Sequence, residues 1–363
     1  MSSKVFYSKY RPKQLAQVVG QEHITGLLEA QFKACFFHHA YLLCGRYGCG
    51  KTTVARIIAK VMNCMNRAEG ETATCGECPS CIGIMNGTST DVRELDGGSR
   101  GHKEDMCEIV KASAYSPVHA KYRIFIINEF QELSPHARTA LLTELEEPPE
   151  TSVFILTTTD YSKVPPQLAS RCQRFFFKPV TEDRIATYLL KLCEHRGVEC
   201  DKEALRLIAR ISDGSLRTAL CELQSMEIAG GGAVKTADCT KYLGLMGREV
   251  IYDLFAATGA KDAGQALNIV ESIMDTAPNT EQIIAEMSRV LSAMMLVGCG
   301  SSVAPAVTPE EKGRIEVLAA QISPETMTRY SKILGEAALS LTVNINQRLV
   351  MESIVVSMST SVS

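Results

Sequence analysis

The length and composition of the chain predict a soluble protein of two or three domains. It has 363 residues, and one domain typically takes about 150. Its 45% hydrophobic and 22% charged residues are ordinary for a protein with a well-formed core. Apolar runs fall short of the ~18 residues that span a membrane, and charges occupy the N-terminal stretch where a signal peptide needs an apolar core. We therefore expect a cytoplasmic protein, and its fourteen cysteines fit a reducing compartment.

The charge is unevenly distributed along the chain. A net charge of −3 excludes a uniformly basic nucleic-acid-binding protein. Residues 1–66, however, carry nine lysines and arginines against two glutamates, a local net charge of +7. This asymmetry is compatible with a phosphate-rich partner, and equally with a bound nucleotide or with solvated helix faces.

The N-terminal residues 4–20 precede the first predicted helix, 21–37. Arg11, Val18 and Val19 lie just upstream of the glycine-rich stretch described next. They could fold over the base and ribose of a nucleotide, although by themselves they indicate only an N-terminal arm.

Residues 41–60 predict a phosphate-binding loop between a strand and a helix. The apolar stretch 41–44 leads into GRYGCGKT, residues 45–52, which fits G-x-x-x-x-G-K-[ST] at every constrained position. Backbone N–H groups of such a loop point at phosphate oxygens, and the helix that follows adds its positive dipole end. Lys51 would reach the β- and γ-phosphates, and the Thr52 hydroxyl would bind Mg²⁺. The predicted nucleotide contacts are Gly45, Gly48, Cys49, Gly50, Lys51, Thr52 and Thr53.

Four cysteines after this helix predict a metal site. Cys64 is followed by Cys75, Cys78 and Cys81 in a tandem C-x-x-C-x-x-C pattern. Four thiolates suit tetrahedral zinc, and a closed site of this kind is structural and not catalytic. Disulfides and an iron–sulfur cluster are the alternatives.

The next predicted elements end in two further candidate residues of the same nucleotide site. A strand at 91–96, a turn at 97–100 and a helix near 103–114 lead to a buried strand at 123–127. That strand ends in Asn128 and Glu129. In P-loop ATPases the first of these positions helps to hold Mg²⁺ and the second polarises the attacking water. Asn128 is an amide without charge, whereas Glu129 retains the role of the base.

Two further strands are predicted before the sequence becomes helical. A helix at 134–145 precedes a strand at 153–156, which runs into three threonines and Asp160. A polar residue there could contact the γ-phosphate, or it could simply cap the next turn. Arg171, before the apolar run 175–177, could be an ion-pair partner or an arginine finger that acts on the ATP of a neighbour.

From residue 181 the pattern predicts helices alone, with a break at 298–308 that is rich in glycine, serine and proline. The last third shows no catalytic constellation. A long helical region without chemistry is best explained as a surface for oligomerisation or for a partner. The predicted helices are 182–196, 201–211, 215–229, 236–243, 248–257, 261–275, 279–297, 309–321, 324–342 and 345–359.

These motifs together resemble the clamp-loader branch of the AAA+ ATPases, and most closely its bacterial DNA polymerase III gamma/tau family. The resemblance is continuous over about residues 4–245, and beyond that it rests on length and helical pattern. LEEPP, SRC and the cysteine insertion are far more specific for this family than the phosphate loop alone. The matching stretches are YRP (10–12), VVGQEH (18–23), HHAYLLCG (38–45), DGGSR (96–100), LEEPPE (145–150), TTD (158–160), SRCQRF (170–175) and DGSLR (213–217).

The resemblance implies an α/β P-loop AAA+ domain at 1–179 with an inserted zinc module at about 62–84. A small helical lid at 180–243 and an all-α collar for oligomerisation at 244–363 would follow. Arg171 resembles the arginine finger that acts in trans, and Arg217 the sensor-two arginine that contacts phosphate in cis. Thr159 is the better candidate for sensor one, with Thr158 beside it. Arg100 and Lys103 lie where such proteins face DNA.

The implied activity is ATP-driven opening and loading of a ring-shaped sliding clamp at primer–template DNA. ATP, Mg²⁺ and Zn²⁺ are the implied cofactors. The partners would be delta and delta-prime type subunits, further copies of the chain, the clamp and the DNA. The length resembles the short gamma form or a compact version such as a phage encodes.

One departure from the family pattern leaves three hypotheses. The family expects Asp-Glu where this chain has Asn128 and Glu129. We therefore expect ATP binding to survive while Mg²⁺ affinity and hydrolysis fall. The favoured hypothesis is a working clamp-loader ATPase. The second is a scaffold that binds ATP without hydrolysing it, and the third is another AAA+ DNA-processing motor, which fits the phosphate loop but not the cysteine insertion, LEEPP or SRC.

Overall fold

The computed structural model describes residues 5–100, 103–242, 248–276, 280–301, 309–340 and 346–360, without the side chains of residues 100, 103–105, 240, 241, 248, 275, 276, 309 and 310. The chain forms two compact units, Met1–Thr236 and Ala237–Ser363. The first unit is built around a β-sheet, and the second is helical in the residues described. The predicted division of the first unit into a nucleotide-binding domain and a lid at 179/180 stays a prediction.

The strands of the first unit form one parallel sheet in the order β2-β3-β4-β1-β5. This confirms the predicted α/β architecture and adds that the sheet is parallel. The neighbouring strands β4 and β1 are buried along their whole length, as expected where helices cover both faces of a parallel sheet. The strands are β1 Ala40–Cys44, β2 Val92–Asp96, β3 Arg123–Asn128, β4 Ser152–Thr158 and β5 Gln173–Phe176.

Alternating residues of β1 divide between two hydrophobic cores. Tyr41 and Leu43 join the core that holds Val54, Ile57 and Ile58 of the helix after the phosphate loop. Ala40, Leu42 and Cys44 join the core on the opposite face, with Phe125 and Phe154 stacked at a centroid distance of 5.3 Å. The phosphate loop therefore starts from a strand that is fixed on both sides.

The helices predicted for the first unit are all present, and three further short helices, α1, α4 and α8, were not predicted. They are α1 Phe6–Lys9, α2 Glu22–Lys33, α3 Lys51–Asn63, α4 Pro79–Asn86, α5 Gly97–Arg100, α6 Lys103–Ser113, α7 Pro135–Glu146, α8 Pro166–Ala169, α9 Glu182–Arg196, α10 Lys202–Ile211 and α11 Leu216–Ala229.

Two predicted elements were wrong in detail. The helix predicted over 21–37 ends at Lys33, because Cys35 adopts a left-handed φ of 53° that breaks the helix. The predicted turn at 97–100 is instead the one-turn helix α5. A Cβ at Gly97 would lie 2.6 Å from the carbonyl oxygen of Glu129. Glycine at this position therefore lets α5 lie directly against the end of β3.

Helices of the second unit enclose one hydrophobic core of aliphatic, methionine and aromatic side chains, including Phe255 and Tyr330. Their bounds agree with the predicted helices to within a few residues. The predicted helix 236–243 becomes α12, which crosses the boundary between the units. The helices are α12 Thr236–Tyr242, α13 Arg248–Gly259, α14 Ala263–Thr276, α15 Thr280–Gly298, α16 Pro309–Gln321, α17 Pro324–Ser340 and α18 Gln347–Ser359.

Candidate nucleotide site and cysteine cluster

The phosphate loop, residues 45–52, joins the buried end of β1 to the first residue of α3. Gly48 has a φ of 76°, and a Cβ there would lie 1.9 Å from the hydroxyl oxygen of Ser215. Both constraints require glycine, because the loop passes so close to the start of α11. Arg46 makes a second contact with this region through a 2.6 Å ion pair to Asp213. No side chain caps the N-terminus of α3, which leaves its N–H groups for an anion.

Lys51 is buried within this loop. Its Nζ donates to the carbonyl oxygens of Gly45 at 2.7 Å and Arg46 at 3.0 Å. Burial lowers the pKa of Lys51, and the nearby Glu129 opposes this shift. A buried ammonium with no carboxylate partner among its described hydrogen bonds is well placed to meet a phosphate.

A chain of hydrogen bonds links the phosphate loop to the end of β3. The Thr52 hydroxyl donates to Oδ1 of Asn128 at 2.9 Å. Nδ2 of Asn128 donates to Oε1 of Glu94 at 2.8 Å, and Nε of Arg56 donates to Oε2 of Glu94 at 2.7 Å. The predicted pair of Thr52 and Asn128 is thus brought together. Glu94 and Arg56 were missed by the sequence analysis.

Glu129 has an unusual backbone and a fixed side chain. Its φ of 50° lies in the left-handed region, where strain often accompanies function. Nε2 of Gln131 donates to Oε2 of Glu129 at 2.6 Å and contacts Oγ1 of Thr159 at 2.8 Å. Oγ1 of Thr158 donates to Oε1 of Gln131 at 2.7 Å. Gln131 therefore couples the predicted base to both predicted sensor threonines.

A cavity of about 330 Å³ opens beside these residues. Arg217 lines this cavity, with its guanidinium 4.5 Å from the Tyr7 ring centroid and 5.1 Å from that of Tyr47. Burial lowers the pKa of Arg11, and the positive charges of Arg56 and Arg217 lower it further. The predicted residues that line the cavity are Arg11, Val18, Val19, Gly48, Cys49, Gly50, Lys51, Thr52, Thr53, Asn128, Glu129 and Arg217.

Tyrosines on this cavity were also missed by the sequence analysis. Tyr7, Tyr10, Tyr47 and Tyr188 line it together with Leu216 and Leu220 of α11. The aromatic and aliphatic side chains together with Arg11, Arg56 and Arg217 suit a flat base joined to a polyphosphate. Tyr10 and Tyr47 lie within the YRP stretch and the phosphate loop. No local motif marks Tyr7 and Tyr188, since α1 and α9 meet the loop only in the folded chain.

Arg171 lies apart from the residues that line this cavity. It forms a 2.9 Å ion pair with Glu146 and donates to the carbonyl oxygen of Gln167 at 2.7 Å. The ion-pair alternative raised by the sequence is therefore present within this chain. The predictions for Arg100 and Lys103 concern side chains outside the described residues.

The four predicted cysteine ligands converge at the other end of α3. Their sulfur atoms all lie within 4.8 Å of one another, with 3.5 Å between the sulfurs of Cys64 and Cys75. Tetrahedral zinc with bonds of about 2.3 Å places its sulfurs about 3.8 Å apart, so the arrangement fits this ion. Backbone N–H groups of Glu77 and Cys78 lower the pKa of Cys75 to about 6, while burial raises the pKa of Cys81.

The fold and the site together define a P-loop protein of the parallel α/β type. Two family models match the chain: DNA polymerase III, delta subunit, over residues 20–181, and DNA polymerase III subunits gamma and tau domain III, over residues 234–362.

Curated relatives agree with these models. DNA polymerase III subunit gamma of Buchnera aphidicola is 34% identical over 80% of this chain and 80% of its own length. The subunit tau/gamma of Haemophilus influenzae is 32% identical over 96% of this chain and 50% of its own. Subunit gamma/tau of Mycobacterium tuberculosis is 36% identical over 90% and 58%. The chain belongs to the DNA polymerase III gamma/tau subunit family.

Apart from the Buchnera subunit, these relatives extend well beyond the match, and the chain spans about half the length of several of them.

Among the described helices, none is both long and apolar enough to cross a membrane.

Proposed function

We propose that the chain is an ATP-binding clamp-loader subunit that couples ATP hydrolysis to the opening of a ring-shaped clamp and its loading onto primed DNA. The observation that supports this most strongly is the cavity in which the phosphate loop, Arg11, Arg217, Asn128 and Glu129 converge. Membership of the gamma/tau family favours this role over that of another AAA+ DNA-processing motor.

Each residue of the cavity has a role in this proposal. Lys51 and the N–H groups at the start of α3 bind the β- and γ-phosphates, and Arg217 binds phosphate from the α11 side. The base lies among Val18, Val19 and the tyrosines. Glu129, positioned by Gln131 and Thr159, orients the attacking water and accepts its proton.

Magnesium fits the oxygen atoms at the end of β3. The Thr52 hydroxyl is hydrogen-bonded to Oδ1 of Asn128 at 2.9 Å, so its lone pairs remain for a cation. When bound, the ion would neutralise the charge that develops on the transferred phosphoryl group. The amide of Asn128 holds the Thr52 hydroxyl but supplies no charge of its own, and we therefore expect hydrolysis slower than with aspartate.

Arg171 is proposed to complete a neighbour's site in the assembled loader. Its ion pair with Glu146 is one-third to one-half exposed, so exchanging this partner for a phosphate costs little. Zinc is proposed as the resident ion of the cysteine cluster, where it holds the segment from Cys64 to α4.

The test is reconstitution with delta and delta-prime type subunits, the cognate clamp and primed DNA. ATP should promote clamp loading, and ATP turnover should rise when clamp and DNA are both present. A chain that neither joins these subunits nor responds to ATP would overturn the proposal. If loading requires ATP binding but proceeds without turnover, the scaffold alternative that Asn128 raises is correct.

A further inference from the structure

The amide at position 128 is bonded to a carboxylate on the neighbouring strand. Asn128 accepts from the Thr52 hydroxyl with Oδ1 and donates to Glu94 with Nδ2. A carboxylate can only accept hydrogen bonds, so the orientation of the amide is fixed by Glu94. The hydroxyl that would bind magnesium is therefore linked through one amide to a negative charge.

The sheet brings Glu94 to this place. Strands β2 and β3 pair in parallel, with Glu94 opposite Ile126 and Asp96 opposite Asn128. Residues 94 and 96 share one face of β2 because side chains alternate along a strand. The Glu94 side chain is 28% exposed, and it lines the same cavity as Thr52 and Asn128.

The Glu94 carboxylate lies two hydrogen bonds from the Thr52 hydroxyl, and at this distance a charge still attracts a cation. Coulomb energy falls with the first power of distance, and in a partly buried site it is less screened than in bulk water. We propose that Glu94 supplies, through Asn128, part of the negative charge of the magnesium site that an acidic residue at position 128 would otherwise provide. This inference rests on the proposed function, since it concerns the ion that accompanies ATP.

The competing explanation is that Glu94 only neutralises Arg56. Nε of Arg56 donates to the second oxygen of Glu94 at 2.7 Å, and Arg56 also borders the nucleotide cavity. If Glu94 served Arg56 alone, its loss would change ATP affinity equally with and without magnesium. A magnesium-specific effect therefore separates the two explanations.

The experiment measures binding of a fluorescent, non-hydrolysable ATP analogue to the full chain, once in EDTA and once in saturating Mg²⁺. The dissociation constant in EDTA divided by that in Mg²⁺ reports how much the metal strengthens binding of the analogue. Glu94→Gln removes the charge and keeps the size of the side chain, but its single amide oxygen can accept only one of the two hydrogen bonds. We expect this variant to lower the ratio about tenfold, the scale of groups that support a metal site indirectly. Glu22→Gln is the matched control, since Glu22 forms an ion pair with Arg184 elsewhere in the same unit, and it should leave the ratio unchanged.

Two further variants make the inference decisive. Asn128→Asp in the Glu94→Gln background moves the carboxylate from residue 94 of β2 to residue 128 of β3. This double variant should restore the ratio to within about threefold of the wild type. Arg56→Ala should leave the ratio at or above its wild-type value. The inference is overturned if Glu94→Gln leaves the ratio unchanged, if the double variant fails to restore it, or if Arg56→Ala lowers it equally. A wild-type chain that binds no analogue in either condition overturns the proposed function itself, and the inference with it.

Discussion

The two ends of α3 carry two sites of opposite character. At the N-terminal end, the phosphate loop uses glycine backbone, one buried lysine and uncapped N–H groups, and it opens into a cavity. At the C-terminal end, Cys64 follows the last helical residue, and four sulfurs lie within 4.8 Å of one another. One end is suited to a ligand that is exchanged, and the other to an ion that stays.

The difference shows how one buried helix, α3, can keep a ligand-binding site apart from a structural metal site. Ten of the thirteen residues of α3 are buried, so the helix is held by the core and not by either ligand. Asn63, the last residue of α3, forms two hydrogen bonds with the backbone of Tyr122 and so fixes the C-terminal end of the helix. We therefore expect changes at one end of α3 to leave the function of the other end intact.

The largest effect is expected from Lys51→Ala. Charge-assisted hydrogen bonds contribute about 1.5–3 kcal/mol each, so the loss of two phosphate contacts should weaken ATP binding by roughly 100-fold. Isothermal titration calorimetry measures the affinity, and elemental analysis should find the bound metal unchanged. Lys163→Ala, which removes an exposed lysine near Asp160, is the control. Simultaneous loss of metal would show that the two ends are not independent.

The converse variant is Cys81→Ser. Removal of one buried sulfur should release about one zinc per chain and lower the melting temperature by roughly 5 °C or more, because a structural ion stabilises the fold directly. ATP affinity should change by less than about threefold, since the phosphate loop lies at the opposite end of α3. Cys107→Ser, outside the cluster, should change neither quantity. Full metal content in Cys81→Ser would exclude this cysteine as a ligand.

A smaller effect is expected where α3 ends. Asn63→Ala leaves the N–H and C=O groups of Tyr122 without their partners, and should lower the free energy of unfolding by roughly 2 kcal/mol. Chemical denaturation measures this, with the exposed Asn66→Ala as the control. ATP affinity should be unchanged, and a comparable loss of stability in both variants would contradict the role of these two bonds.

The smallest effect on function, a change in turnover without a change in ATP affinity, is expected from Gln131→Leu. Glu129 would lose the 2.6 Å hydrogen bond that positions it, and ATP turnover in the reconstituted complex should fall by about tenfold. ATP affinity and metal content should stay at wild-type values, whereas the melting temperature should fall, because Thr158 and Thr159 also lose their hydrogen bonds to Gln131. Gln167→Leu, at an exposed position away from the cavity, provides the comparison. Unchanged turnover would show that Gln131 does not act on the base.

Local sequence patterns predicted both ends of α3 because each end depends on residues that are close in sequence. The phosphate loop and the cysteine cluster are short motifs with their own geometry, and the apolar strands mark the sheet directly. The bond between Asn128 and Glu94 was not predictable in this way, since it depends on β2 lying beside β3 in one register.

The remaining errors have similar causes. The stacking of Arg217 between Tyr7 and Tyr47 joins three distant parts of the first unit. The helix predicted over 21–37 was too long because its apolar end, Phe36 and Phe37, continued the hydrophobic pattern past the left-handed Cys35. No hydrophobic periodicity marks such a reversal of the backbone.

The most direct test of the account is ATP turnover by the assembled loader with the wild-type chain and with Asn128→Asp. An aspartate would place a full negative charge next to Thr52, so we expect turnover to rise by about tenfold, with ATP affinity in EDTA unchanged. Equal turnover in both proteins, at the rate of a fully active clamp-loader ATPase, would contradict the claim that Asn128 slows hydrolysis at an otherwise intact site.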